Sequence, residues 1–534
     1  MPKHSRLPAI LLGILCLFHL AINTLWLSEN KAAPTWDEAG HTRLSVDYTN
    51  YFQGTAEKAT NPLNISSYYP PLTYFFSAFL MQIGGISEDV ATLVVTLYFC
   101  GLLVATYLLT DKLFHHKWIA LVAASTLSFF PAIYFNSRIY LLEIPLLTTI
   151  TITWYCILQS KSFQNWLWTV ASFLGITAII LTKWTGVIFI LIPIISELVT
   201  YYRKHHPRHI LHTLRFAFIG SFICGVLIFP WYFANWDAIL ANARIAATGE
   251  ITDPQNVLSK DSLTYYLTNF IHVQLSFWPT LFFALFSVIF FLSKKTPHRK
   301  KLLSFFVFGY ITFSLISNKD PRYTLPLLLV PAICFGYLTV KWVERRRLSV
   351  LFSTITFGLI VVLFFIYSFP LVPPWKVTVN TQILGWMDII NTGAPLAYPP
   401  QAENPINTQT MKTLSAHSNH LPIRVMVGID QPRYNPATLD LERSLQRSWD
   451  VHIQAPYGIV SFQSSEELKT FLDQYQYFII PTGSVGPDAV RQKVALEQIQ
   501  NFVLKENPYD YPIIQTFQLP EYSETVYLIK HTQS

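Results

Sequence analysis

Two carboxylates stand side by side in this chain, Asp37 and Glu38, within "APTWDEAGHTRLS", directly after the first long apolar run. Neighbouring residues on a helix point about 100° apart, so the two do not share a proton as a dyad. One is placed to take a proton from an acceptor hydroxyl as a general base, while the other takes a partner such as Arg43 or a metal. The structural alternative is a helix N-terminus, where acids complement the dipole and Thr35 caps. His41 follows at on-face helical spacings from both acids. Asp37, Glu38 and His41 therefore carry metal-ligand chemistry, and a divalent metal stays open; no cofactor is firmly implied.

A second group is cationic. Arg138 and Glu143 lie in "SRIYLLEIPLL", Lys183 in "LTKWTG", and Lys319, Asp320 and Arg322 in "NKDPRY". An arginine offers a bidentate fork and a lysine a point charge to a phosphate. The structural alternatives are snorkelling side chains, an Arg138–Glu143 pair at a span boundary, and a salt-bridged loop around Asp320. There is no Gly-rich phosphate loop, no CxxC and no GxSxG, so nothing points to a soluble nucleotide site.

The elements that position these residues are hydrophobic. The 534 residues are 51% hydrophobic and only 13% charged, against about 25% charged in soluble domains. Apolar runs predict eleven membrane spans, at 7–28, 89–110, 118–136, 139–158, 165–182, 184–202, 211–231, 264–292, 301–317, 324–341 and 348–369. The first is read as a retained span rather than a cleaved signal. Tyr68–Gly85 is ambiguous. If it does not cross and the N-terminus is inside, the inner loops hold about 18 Lys/Arg and the outer ones about 9, as the positive-inside rule requires. We therefore read it as a helix in the outer interface. The acid pair, Arg138–Glu143, Lys183 and the 317–326 stretch then all come to the outer face. The net charge of +7 is explained by these loops and calls for no nucleic acid. The five cysteines all fall in predicted spans, which excludes a disulfide framework.

From about residue 371 the chain turns polar. "PIRVMVGI" and "YQYFIIPTG" read as strands, "NPATLDLERSLQRS" and "SSEELKTFLDQY" as capped helices. Their alternation predicts a small α/β domain. The expected organisation is a membrane module over 1–370, with an outer loop 29–88 and interfacial helix 68–85. An extracytoplasmic α/β domain over 371–534 follows, opening with a Pro/Asn/Thr-rich linker or long surface loop at 371–421.

The acid pair, "YPPL", "SRIYLLEIPLL", "LTKWTG", "FPWYFAN" and "NKDPRYTLPLLLVP" occur in that order. Together they resemble the GT-C membrane glycosyltransferases, most of all the protein O-mannosyltransferase and lipid A aminoarabinose transferase branch, over roughly residues 8–345. The resemblance implies a polyprenyl- or dolichyl-phosphate sugar donor, inverting transfer, and a catalytic base in the first outer loop. It carries that role to Asp37, with Glu38 beside it. It places Arg322 near the donor phosphate, with Lys319, Lys183 and Arg138 as further candidates and Glu143 as a second acid. Two departures stand out. The family often has Asp where Glu143 stands, and some members have Lys before the Pro pair, where this chain has Tyr69. The expected function is transfer of a sugar to a hydroxyl on a lipid, glycan or protein. The expected location is the extracytoplasmic face of the plasma (inner) membrane. The alternative is a transporter or flippase of lipid-linked sugars, which would call for mid-span polar groups and internal repeats.

Overall fold

Segments without water around them must satisfy their own backbone polar groups, and a helix does this residue by residue. A computed structural model follows that rule. It describes residues 6–57, 60–204, 210–248, 256–343, 347–382, 384–419, 421–488, 490, 492–506 and 511–531. Among them, five helices are long and apolar enough to cross a membrane: Leu7–Glu29, Glu88–Phe114, Arg215–Ala234, Pro321–Val343 and Ser349–Ser368. Shorter apolar helices include Leu72–Gly84, Lys117–Ser128, Trp166–Thr182 and Phe277–Leu292.

Helix boundaries differ from the sequence expectation where proline or a strained residue interrupts. The segment expected as one span at 118–136 is two helices, Lys117–Ser128 and Pro131–Asn136, because Pro131 lacks an N–H and starts a new helix. The segment expected at 264–292 is likewise divided. Lys260–Asn269 passes into a π-turn, Phe270–Gln274, and Ser276 takes φ +73° before Phe277–Leu292 begins. The last cation-bearing segment enters its helix through a 3-10 stretch, Pro321–Leu328, with Pro326 inside it. Leu72–Gly84 has 13 residues, which rise only about 20 Å against a hydrocarbon core of roughly 30 Å.

The chain forms two compact units. The first comprises Met1–Glu29, Ser66–Phe76 and Thr92–Pro400. Its helices meet at small residues: a Cβ on Gly336 would lie 2.8 Å from the Ala123 nitrogen and 2.9 Å from the Ile119 oxygen. Helices in lipid gain little from burying more apolar surface, so backbone approach of this kind is what holds them. The unit also contains a hairpin, β1 (Lys376–Thr381) and β2 (Gly385–Asn391). It lies in the stretch whose composition suggests a linker; "KVTVNT" has the β-branched alternation of a strand.

The second unit comprises Asn30–Ile65, Ser77–Ala91 and Gln401–Ser534. Its sheet joins β3 (Ile423–Val427), β4 (Val451–Gln454), β5 (Tyr477–Pro481), β6 (Ile513–Leu519) and β7 (Glu524–Lys530) in the order β4-β3-β5-β7-β6. β3 runs parallel to β4 and β5, and β7 antiparallel to β5 and β6. Both faces are covered. Val425, Val427 and Ile479 join a core with Met411, Leu414 and Leu439. Met426, Phe478 and Ile480 join another with Leu468, Leu472 and Ile499. The two helices read from the sequence start where their caps stand: the Asn435 side chain accepts from the Thr438 N–H at 3.1 Å, and Ser464 from Glu467 at 3.1 Å.

Candidate active site

The acid pair opens a helix, Trp36–Phe52, in the second unit. Thr35 and Glu38 form a capping box, and the Glu38 carboxylate accepts the Thr35 N–H at 3.2 Å. Glu38 is thereby used in capping the start of the helix, while Asp37 is exposed. Adjacency in sequence has become a division of labour: one acid satisfies an orphan donor, and the other lies in the first turn, at the positive end of the helix dipole. His41 lies one turn on and is buried. Among the described residues no three His, Cys, Asp or Glu side chains are grouped to hold a metal ion.

The cations come together in the first unit, from three distant segments. Lys183 Nζ lies 2.8 Å from Glu143 Oε1, and Arg322 Nε lies 4.0 Å from the same oxygen. A narrow pocket is lined by Glu143, Lys183, Thr185, Arg322 and Tyr323 among others. Side-chain exposure is 4% for Glu143, 12% for Lys183 and 28% for Arg322. The carboxylate is thus the group set behind, and the cations are nearer the open side. Lys183 Nζ also sits 5.3 Å from the Tyr323 ring centre, a cation–π contact.

The loop that presents Arg322 is built for it. Asp320 caps the 3-10 stretch, accepting the Arg322 backbone N–H at 2.8 Å. The same carboxylate takes Arg322 Nε at 2.9 Å and Nη2 at 2.5 Å. The π-turn holds the loop from behind, through Gln274 Nε2 donating to Pro321 O at 2.5 Å and Thr324 Oγ1 at 3.0 Å.

Two other candidates lie elsewhere. Lys319 Nζ donates to the carbonyls of Phe313, at 3.1 Å, and Ser314. Burial lowers its pKa to about 8. Arg138 is buried, and it donates to Asn23 Oδ1 at 2.8 Å and Ser368 Oγ at 2.7 Å. Its guanidinium lies 5.1 to 5.9 Å from the rings of Trp26, Tyr134 and Phe364. So Glu143 takes Lys183, 40 residues away, where sequence proximity suggests Arg138. Sequence reading did not single out Gln274, Tyr323 or Thr185. None carries a spacing signal, because each contributes through the fold.

The comparisons with known proteins bear on the whole architecture. A family model described as dolichyl-phosphate-mannose-protein mannosyltransferase matches residues 69–239. A protein of Aquifex aeolicus (strain VF5), described only as uncharacterized, is 24% identical over 400 residues, 70% of this chain and 73% of that one. ArnT from Cupriavidus metallidurans bound to undecaprenyl phosphate superposes with TM-score 0.56 at 13% identity, covering 98% of each chain. The mycobacterial arabinofuranosyltransferase AftD superposes with TM-score 0.58 at 11% identity, covering 99% of this chain and 40% of that one.

The chain has the GT-C fold. It is of mostly helical build with a C-terminal sheet region, and five helices among its described residues are long and apolar enough to cross a membrane. In this fold the acid helix belongs to the unit that holds the sheet, and the Lys183–Glu143–Arg322 pocket to the helical unit.

Proposed function

We propose that this protein is a glycosyltransferase that moves a sugar from a polyprenyl-phosphate carrier to an acceptor hydroxyl, inverting the anomeric centre. The observation that carries the reading is the pocket in which Lys183 and Arg322 share one buried carboxylate, Glu143, with the cations toward the open side. Its fold supports the reading, since ArnT with this fold was solved bound to undecaprenyl phosphate.

In the proposed step Asp37 takes the proton of the acceptor hydroxyl as the oxygen attacks the anomeric carbon. The new O–C bond forms as the bond from that carbon to the phosphate oxygen breaks. The electron pair leaves with the phosphate, whose growing charge Lys183 and Arg322 meet. Glu143 holds the two cations at the pocket, and Asp320 fixes the guanidinium plane. Glu38 acts through the helix cap. We assign the acid helix and the α/β unit to the extracytoplasmic face of the inner membrane, on the distribution of Lys and Arg among the loops.

The test is donor turnover. Purified protein is incubated with radiolabelled polyprenyl-phosphate sugars and a membrane extract as acceptor source, beside Asp37→Asn. Release of sugar from the lipid by wild type, and a fall of about 10²–10⁴-fold in the variant, is the expected result. Turnover by Asp37→Asn at more than about a tenth of wild type overturns the base assignment. Failure to turn over any donor overturns the transferase reading.

A further inference from the structure

The second unit has the reversal of strand order at which α/β sheets place their ligands. β4 lies on one side of β3 and β5 on the other, so the chain reverses its winding between β3 and β5. Open parallel sheets bind their ligands beyond the carboxyl ends of the strands at that point. Asp430 stands just past β3, and its N–H donates to Val485 O at 2.7 Å in the loop just past β5. The two loops are pressed together: a Cβ on Gly486 would lie 2.7 Å from the Asp430 oxygen.

What occupies the Asp430 carboxylate is the start of the acid helix. Trp36 Nε1 donates to Asp430 Oδ1 at 2.7 Å, and Gln492 Nε2 to Oδ2 at 2.9 Å. The Trp36 N–H donates to Pro432 O at 3.2 Å. Asp430 is buried, and burial raises its carboxyl pKa against the opposing Trp36 hydrogen bond. The same helix is tied again further along. Arg43 pairs with Asp440 at 3.2 Å, and Asn50 donates to Ser444 O at 3.0 Å while accepting from Arg447 at 3.0 Å. Trp36, Arg43 and Asn50 are seven residues apart in turn, which puts them on one helix face. Asp37 is about 100° off that face.

We propose that Asp430 is a positioning residue: through Trp36 it fixes where the helix begins and which way Asp37 points, so that the α/β unit serves to aim the base. The inference rests on the proposed role of Asp37. It gives the switch point of the sheet an occupant from the same chain.

Three variants and two readouts test it. Asp430→Ala removes the acceptor, Trp36→Phe removes the donor and keeps the ring, and Asp430→Asn keeps an acceptor. Turnover is measured as kcat and donor KM, with hydrogen exchange of the amides at 36–40. We expect kcat to fall about ten- to a hundredfold in Asp430→Ala and Trp36→Phe, with donor KM unchanged and exchange faster. The double variant behaves as the single ones, and Asp430→Asn as wild type. Wild-type kcat in a folded Asp430→Ala or Trp36→Phe overturns the proposal; so does a loss that asparagine does not restore, or effects that multiply in the double variant. If Asp430→Ala does not fold, Trp36→Phe alone decides. Asp37→Asn is run alongside. Its retention of activity sinks the base reading, whereas an inactive Asp37→Asn with normal Asp430 and Trp36 variants sinks only the positioning role.

Discussion

Lys183→Met separates stability from chemistry in the cation pocket. Glu143 has 4% of its side chain exposed, with Lys183 Nζ at 2.8 Å and Arg322 Nε at 4.0 Å. At an effective dielectric of about 20, the gross attractions are roughly 6 and 4 kcal/mol. Arg322 is already engaged by Asp320. Removing Lys183 thus leaves a buried carboxylate with the weaker of its two cations, and breaking such a pair costs about 3–5 kcal/mol. Adding Glu143→Gln removes the stranded charge, so the double variant recovers most of the stability. It does not recover turnover, because the cation that meets the phosphate is still missing, and that loss is about 10²–10³-fold. The assay pairs apparent unfolding midpoints in detergent at one scan rate with donor turnover. A Lys183→Met protein as stable as wild type, or a double variant no more stable than the single, refutes the electrostatic argument. A double variant with wild-type turnover refutes the assignment of Lys183 to the phosphate.

Four further outcomes follow from the same structure. Glu38→Gln keeps a side-chain acceptor for the Thr35 N–H, so its donor turnover stays within about tenfold of wild type, unlike Asp37→Asn. Arg322→Lys gives up the two-point grip of Asp320; donor KM rises and turnover falls by about 10²-fold, measured with the same labelled donors. Lys319 has a folded pKa of about 8, below the ordinary lysine value of 10.5. Between those pH values the unfolded chain holds a proton that the native state has lost, so stability rises with pH. The unfolding midpoint of wild type should therefore gain on that of Lys319→Met from pH 8 to 10. Gly336→Val drives side-chain atoms into the backbone of Ala123 and Ile119; overpacking of this kind costs about 1–3 kcal/mol, read as a lower unfolding midpoint in detergent.

Features that depend on neighbours in sequence were legible. Thr35 and the acid pair read as a helix N-terminus, and a helix starts there with Thr35 as its cap residue. "SSEELKTFL" begins at its serine cap, and "PIRVMV" contains β3. Apolar runs located the helices because a helix in lipid needs only its own residues. What sequence could not supply was partnership at long range. Glu143 has Arg138 five residues before it, yet pairs with Lys183. Trp36 and Asp430 are 394 residues apart. Breaks inside apolar runs were also hidden, since the π-turn at Phe270–Gln274 and the positive φ of Ser276 are set by packing rather than by an obvious breaker. The GT-C resemblance rests on ordered motifs, and the family match at 69–239 covers several of them.

The charges around the cation pocket balance: Lys183 is matched by Glu143 and Arg322 by Asp320, each within 2.8 Å. Two such closed pairs cast little field beyond a Debye length of about 10 Å at 0.1 M salt. A site of this kind does not draw an anion from a distance. The lipid-linked donor proposed for it would instead reach the pocket along the bilayer, held there by its own hydrocarbon, so that donor turnover would change little with the salt of the surrounding water.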